Sequence, residues 1–518
     1  MRKTNSRIKA IALLTILAAS FAVFVLPSFI SVTKAATDSG WTLVTDARTV
    51  KGTPDLREYV WQKNASMPPN GLYDKIGLHR LVKIGATTKG AVFMVPTVYG
   101  SGEQLISNPP QSNYSVDDAS SQVIYWANRG FDVYSIDSRS HFLPLTMNSS
   151  QAQSFAINWG WDQWISDMKE AVNKTKEVSG CDKIFLAGMG WGGTPQMFYA
   201  SKYWKEDLKG LILLDGGENT AKYTSTNSYN VTARVEQLAP VGGMVYENPR
   251  RPGQTNVPPS GLIFCYQNAL LNPGAPAEWP LGTPLQPAIN PLTNKTWTNI
   301  SEYIAYDQYS TKYSNIYSGY GNLTVIIQRM ANENRYYPYR LQLEASAIHD
   351  WNNCPYVSYD FDDHYKEINV PVLGFRDELL ALPTYGNFTN GLATTDFTQI
   401  TLLKYGHNDV YTGTYSSRDV SEVAYQWMLS HLSSLDVSVF CSVTVMRGWT
   451  WWFFAHNKGG VAPYTYQWYE GMTPLQGQTS MVLSITKSTP GVYSYFCRVT
   501  DKDGTTTTSN AVTLTVLG

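Results

Sequence analysis

The sequence predicts a doubly wound α/β fold, a mostly parallel sheet with helices on both faces, followed by an all-β sandwich. Three observations predict it. From about residue 40 to 217, short apolar strands alternate with helical patterns. Within that stretch the run Lys183-Ile-Phe-Leu-Ala-Gly188 turns at Gly190 and opens a helix through Gly192 and Gly193. After about Asp436, short alternating segments are separated by turn-rich stretches such as Thr489-Pro-Gly491 and Asp503-Gly504.

Taken in order, the chain opens with Arg2, Lys3, Arg7 and Lys9, an apolar run from Ile11 to Ile30, and Lys34-Ala35-Ala36. That is the layout of an export signal over residues 1–36, long enough to serve instead as an uncleaved anchor although Pro27 interrupts it. Ala91–Val95 and Phe131–Ile136 read as strands, with a helix from about Val116 to Asn128 between them. Trp161, Ile165, Met168 and Val172 form one apolar helical face. Lys183–Ala187 reads as a strand feeding a helix over Gly192–Tyr203, and Leu208–Leu214 as the next buried strand. The alternation then breaks over residues 218–369, an insert rich in Pro, Gly, Asn and Tyr that would sit over the Gly190 turn as a cap. Val370–Phe375 and Gln399–Leu403 resume the strands, and Val420, Val423, Trp427 and Leu432 suggest a closing helix. The predicted layout is therefore a signal over 1–36, an α/β domain over 37–435 and a sandwich over 436–518.

Composition narrows the partners. A formal net charge of −1 implies neither nucleic acid nor anionic membrane. Nine Asn-x-Ser/Thr sequons, from Asn64 to Asn387, permit glycosylation of an exported chain. Among five cysteines, Cys441 and Cys497 flank the C-terminal module and make the best pair. Cys265 and Cys354 lie in the insert and can pair with each other, leaving Cys181 as a buried thiol. No CxxC or Cys/His cluster points to a metal, and no cofactor is implied.

Four segments resemble the α/β-hydrolase superfamily, especially its lipase and esterase branches, in family order. They are Gly77-Leu-His79-Arg80 with Lys89–Pro96, Gly130–Arg139, the turn Lys183–Gly193, and Lys404-Tyr-Gly406-His407-Asn-Asp409. The resemblance implies a triad of nucleophile, histidine base and carboxylate. His407 matches the base. Asp377 best matches the acid, with Asp215 as the fallback. Trp191 and Val98 match the main-chain donors of an oxyanion hole, although Thr97 stands where that loop usually has glycine. The nucleophile position, serine in G-x-S-x-G, is Gly190. A glycine can neither attack a carbonyl nor be activated by His407.

The C-terminal Cys441…Trp468…Cys497 spacing and Gly460-Val-Ala-Pro-Tyr-Thr-Tyr-Gln-Trp468 resemble Ig-like and PKD-like modules of prokaryotic surface proteins. Two functions follow as expectations. One is an exported, cell-surface pseudo-hydrolase that binds a small-molecule, lipid or ester ligand, or a surface protein or glycan. The other is a hydrolase using a non-standard nucleophile or a water activated by His407.

Overall fold

The computed structural model describes residues 40–518 except 87, 98, 107–115, 120, 217–230, 242, 248–319, 348–356, 380–390, 433–434, 459–463 and 502–503. The expected export segment, Val98, Cys265 and Cys354 lie outside the described residues. Among the described residues, no helix is long and apolar enough to cross a membrane.

The first eleven strands are β1 (Thr42–Val50), β2 (Thr53–Asn64), β3 (Lys75–Lys83), β4 (Ala91–Val95), β5 (Asp132–Asp137), β6 (Ile184–Met189), β7 (Leu208–Leu214), β8 (Val245–Glu247), β9 (Tyr336–Pro338), β10 (Val372–Asp377) and β11 (Phe397–Leu402). Nine of them form one sheet in the order β1-β2-β3-β5-β4-β6-β7-β10-β11. From β5 to β11 the pairs are parallel, and β1, β2 and β3 add an antiparallel edge. The central strands β4, β5 and β6 are buried at every position; β4 and β6 read in the sequence as unbroken apolar runs, whereas β5 also buries Asp132, Ser135 and Asp137. Strand β1 is mostly exposed and joined to β2 through bulged register, which is why its polar sequence carries little strand signal.

Helices α1 (Gly102–Ile106), α2 (Gln122–Asn128), α3 (Trp161–Ser179) and α4 (Gly193–Asp207) pack around this sheet. The expected helix from Val116 begins instead at Gln122, because Ser121 caps it by accepting the Val123 N–H. Trp161, Ile165, Met168 and Val172 of α3 are buried as the periodicity requires. The first N–H of α3 donates to Glu344 in the insert at 2.8 Å. The described parts of the insert include the β8–β9 ladder, α5 (Leu323–Met330) and α6 (Tyr339–Ala347). Helix α7 (Glu422–Leu432) closes this part of the chain, with Trp427 and Met428 in the shared core.

The C-terminal β region has its own core. It comprises β12 (Asp436–Val439), β13 (Val443–Met446), β14 (Thr450–Lys458), β15 (Thr465–Glu470), β16 (Thr473–Pro474), β17 (Val482–Thr486), β18 (Gly491–Thr500), β19 (Thr506–Thr508) and β20 (Val512–Leu517). One sheet runs β12-β14-β17 and the other β13-β20-β18-β15-β16, with β19 on β18. Trp468 is fully buried, pairs with Cys497 across the ladder and donates its indole N–H to Ser480. The expected Cys441–Cys497 disulfide is not formed, and both are free thiols. Cys441 is exposed in the turn after β12, whereas Cys497 is buried. Phe453, Ala455 and Leu483 of the opposing sheet belong to the same core as Cys497, and Phe453 packs on Tyr495 at 5.7 Å. Cys181 is also free, but only half-buried rather than buried.

Candidate active site

Strand β6 enters the sheet between β4 and β7 and stops at Gly190, whose φ is +53°. A tight turn over Gly190–Gly192 then opens α4. Glycine is required around this turn by close approach. A β-carbon on Gly188 would stand 2.3 Å from Gln196 Oε1, and one on Gly192 would stand 2.5 Å from the Pro96 carbonyl oxygen. The turn therefore lies directly against the end of β4. This is the strand–elbow–helix geometry that a nucleophile serine occupies in the family the motifs resemble.

His407 lies in the loop after β11, facing the elbow. A β-carbon built on Gly190 would stand 2.9 Å from His407 Nε2 and 3.5 Å from Thr97 Oγ1. Such a short carbon–nitrogen approach means that the imidazole occupies space that a side chain at position 190 would need. Its other nitrogen, Nδ1, is 2.6 Å from Asp215 Oδ2. With Nδ1 donating to the carboxylate, the neutral ring turns the Nε2 lone pair toward the elbow. Burial pulls the His407 pKa down, but the hydrogen bond and charge of Asp215, helped by the charge of Asp377, raise it above the ordinary histidine value.

Asp377 was the expected partner of His407 and Asp215 the fallback, and the structure pairs His407 with Asp215. Strands β7 and β10 are parallel neighbours, so both end in an aspartate at the same edge of the sheet. Asp215 adopts φ +45° as the chain leaves β7, which turns its carboxylate to His407. Asp377 approaches from behind and donates its main-chain N–H to the other Asp215 oxygen at 3.0 Å. Gly216 packs against the elbow so closely that a β-carbon there would stand 2.1 Å from the Gly190 carbonyl oxygen.

The loop after β4 supplies the remaining wall. Thr97 faces the vacated position, whereas Val98 lies outside the described residues. Trp191 follows Gly190 as expected, and its indole N–H donates to Tyr337 Oη at 2.6 Å. A residue absent from the sequence reading, Asn334, clamps the loop. Its main-chain N–H donates to the Tyr99 carbonyl at 2.7 Å, and its side-chain amide donates to the Gly100 carbonyl at 3.0 Å. His141 bonds the same Asn334 side chain at 3.1 Å. No motif marked Asn334, because it comes from the insert and acts by position alone.

Beside the elbow, Thr97, Trp191, Trp159, Trp161, Trp164 and Tyr337 contribute to a narrow pocket. Three indole N–H groups are directed elsewhere: Trp159 to Asp74, Trp161 to the Leu341 carbonyl, and Trp191 to Tyr337. The charged lining residues, Arg139 and Asp167, are bonded to each other, and Arg139 also holds Asp74. Burial, only partly opposed by Arg139, pushes Asp167 up to about 6.

Sheet order, elbow and His–Asp pair together define an α/β-hydrolase scaffold. The chain is 32% identical to a protein from Sulfolobus solfataricus with a provisional lipase designation, over 75% of this chain and 98% of that one, with a TM-score of 0.56. The chain belongs to the α/β-hydrolase family of that protein. An esterase from Exiguobacterium antarcticum is 12% identical over 69% of this chain and 95% of its own, with a TM-score of 0.34. Est1E from Butyrivibrio proteoclasticus is 11% identical over 69% and 95%, with a TM-score of 0.33. No protein-family model and no curated protein matches the sequence.

Proposed function

We propose that this chain is an exported, cell-surface pseudo-hydrolase that uses its capped pocket to bind a ligand rather than to cleave one. The observation carrying this reading is Gly190: no nucleophilic atom extends from the elbow, and His407 Nε2 crowds the place where one would begin. Without that atom no acyl-enzyme forms, and the remaining scaffold offers only an oxyanion environment and binding surface. The pocket walls suit a small neutral ligand with an apolar body, such as a lipid or ester, because the indole N–H groups and ionic side chains named above already have partners. The basic and apolar N-terminal segment supports export, and the C-terminal sandwich serves as an Ig-like spacer or adhesive module for a surface protein or glycan.

A second reading has one specific observation in its favour. The His407–Asp215 pair is intact at 2.6 Å, and it could activate a water at the vacated position. One experiment separates the two. The purified chain, Gly190→Ser and His407→Ala are compared on short and long p-nitrophenyl esters and with a fluorophosphonate probe. The pseudo-hydrolase reading expects no turnover and no labelling by the natural chain, with labelling appearing in Gly190→Ser. Turnover by the natural chain that disappears in His407→Ala overturns it in favour of the activated water.

A further inference from the structure

A second histidine–carboxylate cluster lies on the far side of the loop after β4, built by β2, β3, β5 and α1. His79 on β3 is almost wholly buried. Its Nδ1 is 2.8 Å from Glu58 Oε1 on β2, and its Nε2 is 2.8 Å from Asp137 Oδ2 at the end of β5. Glu103 on α1 completes the group: one donor atom each from Glu58, His79 and Glu103 lies within 4.8 Å of the others. The geometry points to a binding site for one divalent metal ion of the zinc class, held by Glu58, His79 and Glu103.

Two features beyond proximity support the assignment. The first is the division of labour between oxygens. Glu58 turns Oε1 to His79 and gives Oε2 to Arg48, whose Nε and Nη2 approach it at 2.9 and 2.7 Å. An ion at Oε1 would leave the Arg48 contact in place. The second is Asp137, which takes the far nitrogen of the imidazole and so orients the ring as outer carboxylates do for metal-bound histidines.

The site can also be reached and adjusted. The Arg48 and Glu103 side chains are 25% and 23% exposed, which provides an opening to solvent. Metal bonds of about 2.0–2.2 Å place neighbouring donors roughly 3.3 Å apart in a tetrahedral site, so the Glu58–His79 contact must open by about half an ångström. Occupancy would tie β2 and β3 to α1, which begins where the Thr97 loop ends. Gly102 already sits on the ring, since a β-carbon there would stand 2.4 Å from His79 Cδ2, and its N–H donates to Asp137 Oδ1 at 2.8 Å. The ion would therefore steady the loop that walls the Gly190 site. This departs from the sequence reading, which looked for cysteine and Cys/His spacing, whereas these donors come from separate strands and a helix.

The test uses the full chain stripped with chelator and titrated with Zn²⁺ by calorimetry and with Co²⁺ by visible absorption. One equivalent of each is expected to bind, with Co²⁺ giving d–d bands of a nitrogen–oxygen site. His79→Gln is expected to lose that equivalent, and Glu103→Gln to weaken it at least tenfold. If burying glutamine at position 79 unfolds the chain, the partly exposed Glu103→Gln variant still decides. Failure of the natural chain to bind, or unchanged affinity in folded Glu103→Gln, overturns the assignment.

Discussion

The elbow and the C-terminal sandwich each depart from what their sequence pattern leads one to expect, the elbow by having glycine where a side chain would stand and the sandwich by keeping two thiols apart. At the elbow Gly190 makes the turn without a side chain, and His407 Nε2 lies 2.9 Å from where a β-carbon would stand. In the sandwich Cys497 stays a buried free thiol paired with Trp468 across the ladder, in a core that also holds Phe453, Ala455 and Leu483. In both places the residues that make close contact possible are intact: Gly188 and Gly192 in one, the buried Trp468 in the other. The difference teaches that these folds are specified by what fills or vacates space, and that the reactive atom is dispensable to them.

That contrast can be broken most severely at Trp468. Trp468→Ala should cost about 3–5 kcal/mol, since it empties the largest side chain of the sandwich core. A calorimetric scan showing a loss below about 1 kcal/mol would mean that packing does not define this region. Next comes Gly192→Ala, where the new methyl meets the Val95 and Pro96 carbonyl oxygens. Such overpacking should cost about 1–3 kcal/mol in chemical denaturation, and a neutral result would show that the elbow is looser than its contacts imply.

Gly190→Ser is smaller still in stability, about 1–2 kcal/mol, because a side chain at φ +53° is strained and must displace His407. Its fluorophosphonate labelling, measured beside its denaturation midpoint, separates a restored nucleophile from a merely perturbed turn. The smallest effect belongs to Cys441→Ser, within about 0.5 kcal/mol, because an exposed free thiol contributes little. A loss of several kcal/mol that reductant reproduces in the natural chain would reinstate the disulfide.

Much of the catalytic scaffold was legible in the residues themselves. Ala91–Val95 and Leu208–Leu214 are strands with the predicted bounds, and His407 faces the elbow as its motif implies. These features are local: a run of apolar residues buried on both faces, or a glycine whose φ a turn demands. Asp215 and Asp377 could not be ranked in the same way. Both end neighbouring parallel strands, and only the path of the His407 loop decides which carboxylate it meets. Asn334 was invisible for a related reason, since its value lies in reaching a loop more than two hundred residues earlier in the chain.

What the sequence determined alone was the doubly wound core, the elbow with glycine at position 190 and the change to an all-β region near Asp436. Each follows from periodicity or backbone freedom over a few consecutive residues. Tertiary structure alone decided that Asp215 holds His407, that His407 crowds Gly190, that Cys441 and Cys497 stay apart, and that Glu58, His79 and Glu103 converge. Those are meetings between distant segments. They are settled by which strands lie side by side and where their loops emerge, and no short stretch of residues encodes either.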